Sequence, residues 1–129
     1  MGQQKYAVSL VRKVYLTDED IDGIMSCALD GGVTSEWCAR VEVVGGKYLG
    51  EYASDHISRD GKLRFYDRES SATWILTRGK LLTGIELAFM DGYGEDWFDE
   101  SGKLDIFNLD ANEADTMVQF ALFGEVVFS

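Results

Sequence analysis

Asp18, Asp20 and Asp22, followed at once by Gly23, are spaced like the first ligands of a calcium-binding loop. In such a loop, carboxylates at alternate positions converge on one hard cation, and a glutamate at the twelfth position closes the cage with both oxygens. Here the twelfth position is Leu29, and the residues before the run have the composition of a strand, not of an incoming helix. Acids at the start of a helix explain the same three residues. Ser54, Asp55 and His56 supply the residue types of a hydrolytic triad, but as consecutive neighbours. A triad draws its members from separate elements around an activated nucleophile, and no G-x-S-x-G run provides one. His56 is the single histidine, and Cys27 and Cys38 are the two cysteines, too few for a zinc site. Both thiols are expected to be reduced core residues. The glycines form neither a dinucleotide-binding nor a phosphate-loop pattern. Arg78 and Lys80 stand at the start of an expected helix, where free N–H groups could help them hold an anion. The expectation is a protein with no catalytic residues, no metal and no cofactor.

The strongest pattern is one of charge. Residues 91–129 hold ten acids against Lys103 alone, whereas residues 1–90 hold 13 acids against 11 bases, within a net charge of −11. Asp110 and Phe107 stand among eleven further residues, the acids Asp91, Glu95, Asp96, Asp99, Glu100, Asp105, Glu113 and Asp115 interleaved with the rings Tyr93, Trp97 and Phe98. An ordinary solvated face accounts for the acids, but less well for the rings set among them. Acids with aromatic anchors suit docking on a basic protein surface, where charge speeds encounter and the rings supply affinity. These eleven residues are therefore the candidate partner-binding surface. Such a field repels nucleic acid and anionic membranes, so direct contact with either is not expected. A small-molecule or nucleotide-binding protein is the alternative, with Arg78 and Lys80 joined by Arg59, Lys62 and Arg64 around a hairpin.

The elements that must position these residues can be read in order. At 129 residues, with 46% hydrophobic and 12% aromatic side chains, residues 1–129 are expected to form one globular domain. No apolar run approaches a membrane span, and MGQQKYAV has no leader character, so a cytoplasmic location is expected. Tyr6 to Leu16 is rich in β-branched and aromatic residues and predicts a strand. Thr17 then caps a helix whose stripe is Ile21, Ile24, Met25, Ala28 and Leu29, stopped by Gly31 and Gly32. Trp37 to Val44 predicts a strand, and Tyr48 to Arg59 is undecided between strand and irregular chain. After the Asp60-Gly61 turn, Lys62 to Asp67 and Ala72 to Leu76 predict a hairpin. Thr77 caps a second helix with Leu81, Leu82, Ile85, Ala88 and Phe89 as its stripe. Asp110 and Glu113 form a capping box for a third, which Gly124 stops before an expected strand at Val126 to Phe128. The class is α+β: a mostly antiparallel sheet of about four to five strands with two to three helices packed on one face. Nothing in the sequence excludes self-association.

Three runs carry a resemblance. LTDEDIDGIMSCALDGG, VEVVGGKYLGEYASDHISRDGKLRFYD and NLDANEADTMVQFALFGEVVF are similar to small acidic proteins of phages and conjugative elements of gut Firmicutes. The similarity spans nearly the whole chain and is weakest over DGYGEDWFDESGK, and no catalytic residues come with it. It implies a bacterial host cell and the accessory cargo of mobile elements, a class that includes small acidic inhibitors of host defence. The function expected from charge and resemblance together is inhibition of a nucleic-acid-binding defence protein, an anti-CRISPR or anti-restriction role by DNA mimicry.

Overall fold

Three threonine or aspartate caps set the helical frame. In a computed structural model describing residues 5–7 and 13–129, Thr17 opens helix α1 (Asp18–Asp30), Thr77 opens α2 (Arg78–Met90) and Asp110 opens α3 (Ala111–Phe123). Each cap accepts a hydrogen bond from the backbone N–H three residues on, satisfying a donor that the helix itself leaves unpaired. In α1 and α3 the acid at that third position, Asp20 or Glu113, reaches back to the cap's own N–H and closes a capping box. Gly124 ends α3 in the left-handed conformation.

Strands β1 (Cys38–Val43), β2 (Leu63–Asp67) and β3 (Thr73–Leu76) form an antiparallel sheet in the order β1-β2-β3. Val41, Phe65 and Trp74 align across its inner face, as do Val43, Leu63 and Leu76. Its outer face carries Arg40, whose guanidinium lies 3.9 Å from the Tyr66 ring centroid and pairs with Glu42 at 2.8 Å. Helix α3 touches α1, α2 and β3, and one apolar cluster runs from α1 through the sheet to α2 and α3. The fold is α+β, with three strands among the described residues where four to five were expected of the chain.

The missing strands have separate causes. Residues 8–12 of the expected strand Tyr6–Leu16 lie outside the described residues, and its described ends, 6–7 and 13–16, belong to no strand. Val126 to Phe128 belongs to no strand and pairs with none among the described residues. The Gln119 side chain replaces one: its oxygen accepts from the N–H groups of Val127 and Phe128 at 2.8 Å each, and its amide donates to the Phe128 carbonyl at 2.9 Å. Phe128 then stacks on Trp37 at 5.0 Å, inside a cluster completed by Trp74 and Phe123. The stripe of α2 also differs from expectation. Leu81, Ile85 and Ala88 are buried with Gly84, while Leu82 and Phe89 face solvent. At Gly84 an added Cβ would lie 2.5 Å from the Ala121 backbone nitrogen, so this glycine sets how closely α2 approaches α3.

Candidate functional site

The acidic segment leaves α2 through two left-handed glycines, Gly92 and Gly94, which turn the chain across the start of α3. Gly94 lies directly under the Trp97 indole: a Cβ there would stand 2.4 Å from a ring carbon. Trp97 is 3% exposed, and its Nε1 donates to Glu113 Oε2 at 2.6 Å. The expectation that Trp97 is an outward anchor is therefore corrected. It fastens the loop to the third residue of α3, whose carboxylate also serves the capping box. Phe98 is half-buried and bridges Leu104, and beyond it Asp99 builds a tight turn. The Asp99 carboxylate accepts from the Ser101 hydroxyl at 2.6 Å and from the N–H groups of Ser101 and Lys103. These bonds, the Ser101 hydroxyl first, hold its pKa below the ordinary carboxylate value.

Asp91, Glu95, Asp96, Asp99 and Glu100 are all exposed on this one segment, with Asp105 half-exposed and bonded to Asn108 at 2.6 Å. Tyr93 is partly exposed and meets Phe120 edge-on at 5.4 Å. Asp115 does not join them. It is buried in α3, where it accepts from Thr34 Oγ1 at 2.6 Å, Trp37 Nε1 at 2.9 Å and Gln119 Nε2 at 2.7 Å. Those three neutral donors make it a structural junction between α3 and the chain entering β1, not a docking residue. Phe107, outside the expected site set, is 97% exposed. It borders a cleft of about 460 Å³ with Glu19, Asp99, Lys103, Asp105 and Ile106.

The basic alternative is placed differently. Arg78 donates to the Ser58 carbonyl at 3.0 Å and lies 3.7 Å from Asp60, while Lys80 donates to the Ile75 carbonyl at 2.8 Å. Lys80 thereby covers the open edge of β3, and Arg59 is likewise engaged by the Asp55 carbonyl. A larger cleft, about 580 Å³, follows β1 and is lined in part by Ser26, Leu29, Cys38, Arg40 and Tyr52; neither Arg78 nor Lys80 borders it.

The remaining chemical patterns resolve into structure. Asp20 closes the capping box, and Asp22 accepts from Ser58 Oγ at 2.5 Å, so the aspartate run is the first part of α1 and not a loop. His56 is buried, with Nδ1 accepting from the Leu49 N–H at 3.5 Å, while Asp55 accepts from the Tyr52 N–H. Cys27 and Cys38 are free thiols, donating to the Leu109 and Arg40 carbonyls, and burial pushes both pKa values up. Among the described residues no group of three or more His, Cys, Asp or Glu is placed to hold a metal ion. No described helix is long and apolar enough to cross a membrane. Comparison of the chain with family models, curated proteins and solved structures returns no match.

Proposed function

We propose that the chain is a non-enzymatic acidic binding protein that docks on the basic groove of a nucleic-acid-binding defence effector. By occupying that groove it excludes DNA or RNA, an anti-CRISPR or anti-restriction role by mimicry. The observation that carries this reading is a rigidly mounted acidic loop: Asp91, Glu95, Asp96, Asp99 and Glu100 are exposed on a segment that Trp97 and the Asp99 turn hold in shape. Preorganised carboxylates lose little conformational entropy on binding and compete with phosphates for Lys and Arg. The segment adjoins Asp105 and the mouth of the cleft beside Phe107, extending the negative surface toward the start of α1.

Affinity capture from bacterial lysate, with and without excess duplex DNA, tests the reading. Retention of basic nucleic-acid-binding proteins, lost when DNA is added, is the expected result. A retained set without any such protein sinks the mimic.

A further inference from the structure

Among the described residues, the outer face of α2 along Leu82, Glu86, Phe89 and Met90 is exposed. Leu82, Glu86, Phe89 and Met90 recur at helical spacing, and Tyr93 continues the same line beyond the helix end. Leu82 is 41% exposed, Phe89 54%, Met90 82% and Tyr93 42%. Helix α2 thus has two apolar sides: one meets α3 through Gly84 and Ile85, and the other meets water. Exposed apolar side chains gathered on one helix face of a small protein mark a contact surface, and Met and aromatic side chains are the types that adapt to and anchor partners.

Charge decides the occupant. Glu86 lies within the stripe, Asp91, Glu95 and Asp96 lie at its end, and none of the four belongs to an ion pair among the described residues. A second copy of the chain, itself at −11, would set these acids against their own kind across a two-fold axis. A surface with an apolar centre ringed by Lys and Arg meets both halves of the patch. We propose that the Leu82–Phe89–Met90–Tyr93 stripe is the anchoring half of the docking surface and that its partner is a basic amphipathic helix or ridge. The inference rests on the acidic docking reading above and assigns the affinity to α2, leaving the loop acids to steer encounter.

The test uses two fluorescein-labelled probes against the full chain near physiological salt: a short amphipathic Leu/Lys helix and an oligolysine of equal charge, read by polarisation. The amphipathic probe is expected to bind about tenfold more tightly or better. Phe89→Ser combined with Met90→Ser is expected to abolish that preference while leaving oligolysine binding unchanged. Both side chains lie outside the core, so circular dichroism is expected to match the parent, and Tyr48→Ser, an exposed ring elsewhere, serves as the control. Equal binding of the two probes, or a preference that survives the double substitution, overturns the anchor and leaves acidic docking standing. Binding of neither probe overturns the acidic docking reading, and the anchor falls with it.

Discussion

The Trp97 indole covers Gly94 and donates to Glu113, so removing it costs packing and a hydrogen bond together. Trp97→Ala is expected to lower folding stability by ~3–5 kcal/mol, the range for large-to-small core changes, measured by chemical denaturation. A loss within ~0.5 kcal/mol, the scale of surface substitutions, would contradict the buried role. Nothing local in the sequence announces that role, because a ring between acids and glycines looks the same whether it turns in or out. Asp115 was more legible: it stands three residues before Val118 and four before Gln119, at the flank of the α3 stripe. Its neighbours in the acidic count hid that position. His56 makes a pH prediction. Burial lowers its pKa, so the folded protein favours the neutral imidazole while the unfolded chain binds the proton more tightly. Its contribution to stability is complete above the unfolded value of about 6.5 and is lost as pH falls from there through the lower folded value. An NMR titration of the imidazole is expected to give a midpoint below the free value. A midpoint at or above it refutes the argument.

Helices α1, α2 and α3 were readable because their caps are local chemistry, settled within four residues of Thr17, Thr77 and Asp110. Strands β1 to β3 were readable from composition and from the Asp60-Gly61 turn, where Asp60 takes a left-handed φ of 64°. The C-terminal segment was not, because three apolar residues after a glycine look like a strand whether backbone or a Gln side chain pairs with them. The stripe of α2 was misassigned for a related reason: LLTGIELAFM is apolar around most of its circumference, and only the Gly84 contact with Ala121 selects the inner side. That contact yields a paired prediction within one helix. Gly84→Ala is expected to cost ~1–3 kcal/mol or more, since a new methyl would press on the α3 backbone. Gly79→Ala meets only Thr77 Oγ1 at 4.0 Å and is expected to stabilise α2 by ~0.5–1 kcal/mol. Thermal and denaturant melts of both variants check the contrast, and a Gly84 variant as stable as the parent removes the close approach.

At the scale of the molecule, 23 acids face 12 bases, and the ion pairs Arg40–Glu42, Arg59–Asp22 and Arg78–Asp60 all have partly exposed side chains. Self-repulsion therefore outweighs the attraction that salt would screen. The melting temperature is expected to rise by several degrees between low salt and about 0.5 M KCl, with scanning calorimetry as the measure. A fall on adding salt would mean that attractive pairs dominate. The class α+β was legible from element order, but the closing of the core was not, because it depends on residues far apart in the chain. Asp115 serves Thr34 and Trp37 across 81 and 78 residues, and Phe128 lies against the same tryptophan. During synthesis the sheet and the first two helices leave the ribosome while the indole N–H and the threonine hydroxyl still wait for their acceptor. Closing so long a loop comes late and slowly. The nascent chain is therefore expected to mature after α3 emerges, and a product truncated before Asp115 is expected to be cut faster by added protease than the full chain.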